Sequence, residues 1–127
     1  MKGGYVDGFV FPVTKKNVAE YKKMAAWGAK TWMKFGALAY FECMGEDLTI
    51  KPMGGIKQRS FKDLAKAGPN DTVWFSFIVY KNKKHRDAVN KKVMAYFDKK
   101  YTEKEQRNNM PFDMKRMSYA GFTVVVG

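Results

Sequence analysis

Thr72-Val73-Trp74-Phe75-Ser76-Phe77-Ile78-Val79-Tyr80 is the stretch on which the fold turns. It is rich in β-branched and aromatic side chains and free of glycine and proline, so it predicts a strand running to about Lys81. Side chains alternate across a strand. Val73, Phe75, Phe77 and Val79 therefore point one way, and Trp74, Ile78 and Tyr80 the other. A sheet covered by helices on one side normally turns a polar face to water. This strand has no such face.

The same pattern recurs outward from it. Tyr5 to Val13 reads as a first strand, with Tyr5, Phe9 and Phe11 opposing Val6 and Val10. Arg116 to Val126 reads as a last strand, with Met117, Tyr119 and Val125 opposing Phe122, Val124 and Val126. Between these lie helical periodicities. Thr14 is placed to cap a helix from Lys15 to Phe35, with Val18, Tyr21, Met24, Ala25, Gly28, Ala29, Trp32 and Phe35 on its apolar stripe and Gly36 as its stop. A second strand spans Ala37 to Met44. Gly45 to Asp71 is irregular, except where Ser60 and Asp63 form the start signal of a short helix to Ala67. Asn82 caps a second long helix to Lys99 or Lys100, with Val89, Val93, Tyr96 and Phe97 inward. Thr102 and Glu105 mark one more short helix.

Strand, helix, strand, strand, helix, strand is the ferredoxin-like βαββαβ order. It predicts a single α+β domain over residues 1–127, a four-stranded antiparallel sheet with helices on one face. The other face would then expose a large apolar surface. The expected cover is a second copy of the sheet, packed face to face to give a homodimer. The alternative cover is the Gly45–Asp71 segment folding back.

Composition sets outer bounds. A chain of 127 residues with 46% hydrophobic content and 16% aromatics has material for one genuine core. The longest apolar run is far short of the ~20 residues a membrane helix needs. Asp7 and Pro12 interrupt the apolar N-terminal stretch, so no signal peptide is expected. A lone cysteine, Cys43, fits a reducing, cytoplasmic setting, and one cysteine with one histidine cannot make a His/Cys metal cluster. No metal and no cofactor are expected. The net charge of +12 favours anionic partners, but it rests on twenty lysines and four arginines, and lysine is a hydrated point charge more than a bidentate reader of phosphate or bases.

Tyr5-Val6-Asp7-Gly8-Phe9-Val10, Gly36-Ala37-Leu38, Val79-Tyr80, His85-Arg86-Asp87, Asn90-Lys91-Lys92-Val93-Met94 and Met110-Pro111-Phe112-Asp113-Met114-Lys115-Arg116-Met117 occur in this order along nearly the whole chain. In these segments the chain resembles the bacterial YbaA-like family, domain-of-unknown-function family 1428. That family is similar in fold to the dimeric α/β-barrel superfamily, so the resemblance implies the same face-to-face dimer. No activity is established for the family, so it supplies no catalytic residues. The superfamily hosts oxygenases, isomerases and haem-degrading enzymes. Binding or converting a small organic molecule, in a pocket between sheet and helices, is the class this implies.

Candidate pocket residues are the polar ones set among apolar neighbours. Asp7 stands between Tyr5 and Phe9 on one strand face, where a carboxylate needs a partner such as Arg116 or a lysine, or else has a functional role. Glu42, beside Tyr40 and Met44, is a second acid able to join it. Arg86 and Asn90, four apart, share the inward face of their helix and would anchor a ligand or hold the Met110–Asp113 loop. Asp113 and Arg116 complete the set. His85 opens the same helix and is expected to be a neutral surface or capping residue. A competing reading is a structural or binding dimer without catalysis. A further one is nucleic-acid binding, for which Lys16, Lys23, Trp27, Lys30 and Lys34 would form a basic helix face, opposite the core, with one aromatic for stacking.

Overall fold

Val, Ile and aromatic side chains suit a pleated, half-buried surface, and the run around Trp74 lies at the centre of the sheet. The computed structural model describes residues 1–108 and 110–127. The strands are β1 (Tyr5–Thr14), β2 (Ala39–Met44), β3 (Asp71–Tyr80) and β4 (Ser118–Thr123). The helices are α1 (Val18–Lys34), α2 (Phe61–Leu64), α3 (Lys83–Lys100) and α4 (Glu103–Asn108). The sheet runs β2-β3-β1-β4 with antiparallel neighbours throughout. Each long helix thus connects two strands with a third lying between them. This is the α+β order that the ferredoxin-like expectation requires.

Parity along the strands separates the two faces. Tyr5, Phe11 and Val13 of β1 and Trp74, Ile78 and Tyr80 of β3 are buried together with Tyr21 and Ala25 of α1 and Val89 and Val93 of α3. Both long helices therefore lie on one face. On the other, Phe41, Phe75 and Phe122 are each about half exposed, at 50%, 46% and 58%. Val6 opposes Phe122, Val10 opposes Phe75 and Phe41 opposes Phe77 across the ladders, so this apolar face crosses all four strands. The segment from Gly45 to Asn70 covers one corner only. Phe61 comes within 6.4 Å of Phe75, ring to ring, and Pro12 and Val73 at that end are buried.

Several element ends differ from expectation. Thr14 does not cap α1: its hydroxyl donates to Asp71 Oδ1 at 3.2 Å, and the chain enters the helix through a 3-10 turn at Lys15–Asn17. Gly36, at φ +112°, ends α1 as expected, but Ala37 then donates its N–H back to Trp32, which delays β2 to Ala39. The last strand is shorter at both ends than 116–126. Asp113 accepts from the Lys115 N–H and starts a 3-10 turn at Met114–Arg116, and Val125 and Val126 extend past β4 into solvent. The other start signals act as written. Ser60 accepts from the Asp63 N–H at 3.0 Å, Asn82 from the His85 N–H at 2.8 Å, and Thr102 and Glu105 bond reciprocally.

Candidate functional site

The two helices do not seal onto the sheet along its whole length. Between them and the helix-facing side of β1, β2 and β3 lies a cavity of about 670 Å³, bounded at one end by Tyr101, Gln106, Met110, Phe112 and Met114 from the connection between α3 and β4. Its walls are mainly aromatic and thioether: Phe9, Phe11 and Tyr119 from the sheet, Trp32 and Phe97 from the helices, and five of the nine methionines of the chain. Phe9 stacks on Tyr119 at 5.6 Å, and Phe112 closes on Phe11 at 4.9 Å and on Tyr21 at 5.6 Å.

One polar cluster is built on Asp7. β1 directs it to the helix face, and its side chain is 4% exposed. The partner is Arg86, which donates through Nη1 at 2.8 Å. Arg86 also lies over the Tyr5 ring at 4.9 Å and donates to the Tyr5 hydroxyl at 3.3 Å and to Asp87 at 2.8 Å. Gly121 of β4, opposite Asp7, makes room for this: a Cβ there would sit 2.3 Å from the Tyr5 oxygen. One helical turn beyond Arg86, Asn90 Oδ1 accepts from Trp32 Nε1 at 3.0 Å and from the Tyr80 hydroxyl at 3.2 Å. Burial pushes the Asp7 carboxyl above its ordinary value, although the Arg86 charge and the adjacent Asn90 and Tyr80 pull the other way. Burial likewise raises Tyr80, with the Asp7 charge adding to it.

A second cluster is built on Glu42. Tyr21 of α1 shares its hydroxyl proton between the two carboxylate oxygens at 2.9 and 2.8 Å, and Tyr40 donates to Oε1 at 2.9 Å. Ser76, directly opposite Glu42 in the β2–β3 ladder, donates to Oε2. Gly28 on α1 admits the Tyr40 hydroxyl, which would lie 3.1 Å from a Cβ at that position. Burial first, and then the Glu42 charge, hold the Tyr21 and Tyr40 hydroxyls far above their ordinary range, so both remain donors. The site therefore holds carboxylates able to accept protons or hydrogen bonds and tyrosines able to donate them. Among the described residues, no group of three or more His, Cys, Asp and Glu is placed to hold a metal ion.

Of the residues singled out in the sequence, Asp7, Glu42, Arg86 and Asn90 line this cavity. Asp113 and Arg116 do not. Arg116 pairs with Asp71 at 2.8 Å and with Asp113 at 3.1 Å and donates to the Lys66 carbonyl, so the expected Asp7–Arg116 pairing is replaced by Asp7–Arg86. Arg86 and Asn90 reach the sheet and α1 and not the Met110–Asp113 loop. Trp27 departs from the expected basic face. It remains exposed, at 39%, but lies beside Tyr96 of α3 at 6.4 Å and at the edge of the cavity, with Lys100 Nζ 4.0 Å over its ring. Lys34 leans over Phe35 and Tyr96 at 5.6 Å, while Lys16, Lys23 and Lys30 are exposed. His85 accepts the Lys81 N–H through Nδ1 at 3.0 Å, a capping role. The sequence reading missed Tyr21 and Ser76 as members of the Glu42 cluster. Ser76 carried a signal, being a small polar residue set between Trp74 and Ile78 on the helix-facing side of β3.

Comparison with known proteins gives one family. The family described as "Protein of unknown function (DUF1428)" matches residues 4–114. A protein of Escherichia coli strain K12, "Uncharacterized protein YbaA", is 42% identical over 122 residues, covering 96% of this chain and 97% of its own. The proteins of the same name from Escherichia coli O157:H7 and Shigella flexneri match to the same extent.

Proposed function

This chain belongs to the DUF1428 family, and from that premise we propose that it binds a small, largely apolar organic molecule in the cavity between sheet and helices, working as a homodimer. The observation that carries the reading is the cavity itself. At about 670 Å³ it is within the range of small-molecule sites, roughly 300–1,000 Å³. It also has the composition of such sites, with apolar walls and two sets of fixed polar groups, Asp7 with Arg86 and Asn90, and Glu42 with Tyr21, Tyr40 and Ser76. Methionines along the wall let it adapt to ligand shape.

The homodimer is supported by the open face of the sheet. Phe41, Phe75 and Phe122 present an apolar surface too continuous for a chain alone in water. A second copy laid face to face removes that surface from solvent symmetrically. The nucleic-acid alternative keeps the exposed Lys16, Lys23, Lys30 and Trp27, but the Trp27 ring is already met by Lys100 on one side and Tyr96 at 6.4 Å.

Trp27 and Trp32 both line the cavity, so their emission reports occupancy. Titration with neutral bicyclic aromatic alcohols is expected to change it saturably. No saturable response across such a panel overturns the ligand reading. Light scattering is expected to give twice the chain mass, falling to one chain in Phe41→Glu. A wild-type monomer at micromolar concentration overturns the dimer.

A further inference from the structure

The charges lining the cavity run against those of the whole molecule. The chain carries +12, yet none of its twenty lysines lines the cavity. Among the described residues the charged side chains there are Asp7, Glu42 and Arg86, two acids and one base. The Arg86 charge is already matched by two carboxylates, Asp7 and Asp87. Its three nitrogens are engaged by Asp7, Asp87 and the Tyr5 hydroxyl, and its face lies on the Tyr5 ring.

Glu42 is the opposite case. Its neighbours are hydroxyls, and among the described residues no cation comes within ion-pair distance of it. Lys22 lines an adjoining shallow cleft with it but does not close on the carboxylate. An ionised carboxylate offers about four acceptor sites. Tyr21, Tyr40 and Ser76 bring three O–H protons to these four sites, the Tyr21 proton spanning two of them, so one site is freed when Tyr21 settles on a single oxygen. The walls add to this, because aromatic ring faces attract cations. Tyr40 itself, with Trp32 5.9 Å away, lies beside the carboxylate.

Building on the small-molecule reading of the same cavity, we infer that the ligand is a hydrophobic amine, its ammonium bound at Glu42 and its apolar body held among the aromatic and methionine side chains of the cavity. An ammonium supplies the missing donor and the missing charge together, and a charge-assisted hydrogen bond of this kind is stronger than a neutral one. A carboxylate ligand would meet Glu42 with like charge and find the Arg86 charge already neutralised by Asp7 and Asp87.

The test is calorimetric titration with three probes of one size: 1-naphthylmethylamine, 1-naphthalenemethanol and 1-naphthoate. The amine is expected to bind about tenfold or more tighter than the alcohol, and the naphthoate weakest of the three. Glu42→Gln is expected to bring the amine to within about twofold of the alcohol in the same variant, since the charge-assisted bond is lost. Tyr40→Phe, which keeps the carboxylate, is expected to retain the amine preference. Equal binding of amine and alcohol by the wild-type protein overturns this inference and leaves the small-molecule reading intact. Persistence of the preference in Glu42→Gln overturns the role of Glu42. Binding of none of the three overturns both readings. The wild-type series decides the question even should a variant fail to fold.

Discussion

Asp7 and Asp71 each meet an arginine guanidinium at 2.8 Å, Asp7 through Arg86 across the cavity and Asp71 through Arg116 at the start of β3. Their carboxyls nevertheless shift in opposite directions. Asp71 is held below its ordinary value, first by the Gly68 N–H at 2.8 Å and then by Arg116, with the Thr14 hydroxyl adding to both. Asp7 is raised, because its loss of water outweighs the attraction of Arg86. Contact distance alone does not give the sign of an ion pair. The sign follows from whether the donors around each carboxylate outweigh the cost of taking it out of water. At Asp71 the backbone and a hydroxyl replace it. At Asp7 the guanidinium, Asn90 and Tyr80 do not make up for burial beside the apolar cavity.

The comparison is broken most directly by removing each arginine. Arg86→Met strands a buried carboxylate and is expected to cost about 3–5 kcal/mol in urea unfolding. Arg116→Met acts on a wetter pair, with Arg116 28% exposed, and is expected to cost about 1 kcal/mol. Equal losses would mean that the two environments do not differ as described. Asp7→Leu combined with Arg86→Met is expected to recover most of the larger loss, because a buried pair replaced by apolar residues is often neutral.

Gly121→Ala tests the same pair from the neighbouring strand. The new Cβ would clash with the Tyr5 ring that supports Arg86, and the expected loss is about 1–3 kcal/mol, as for an overfilled core. A loss near zero would show that Tyr5 gives way freely and that Arg86 does not depend on its position.

The smallest effect sharpens the comparison through pH. Folded Asp7 holds its proton more tightly than the unfolded chain does. The stability it contributes is therefore lost as pH rises from the ordinary value of 3.8 through the folded one. Asp71 runs the other way: its contribution is present above 3.8 and is lost as pH falls through its lowered value. Relative to wild type, Asp7→Asn is expected to fare better at neutral pH than in acid, and Asp71→Asn better in acid than at neutral pH. Unfolding free energies measured across that range check both signs, and parallel curves for the two variants would erase the distinction.

Much of the site could be read before the fold was seen. Polar residues at odd places in apolar patterns, Asp7 between Tyr5 and Phe9 and Arg86 and Asn90 beside Val89 and Val93, line one cavity. Partner identity could not be read. Arg86 and Arg116 are both near matches for Asp7 in a linear pattern, 79 and 109 positions away, and nothing local distinguishes them. Glu42 was legible as an acid on a strand, but its cage was not. It needs the β2–β3 register to put Ser76 opposite it and Gly28 to let Tyr40 approach α1.

By itself the sequence determined the α+β class, the order of the elements, most of the helix caps and the apolar character of both sheet faces. These follow from interactions between residues a few positions apart and from periods of two and 3.6. Only the tertiary structure decided that the two helices leave a cavity, that Trp27 and Tyr96 meet between them, and which arginine meets which carboxylate. Those outcomes depend on side chains that are distant along the chain filling, or failing to fill, the same volume.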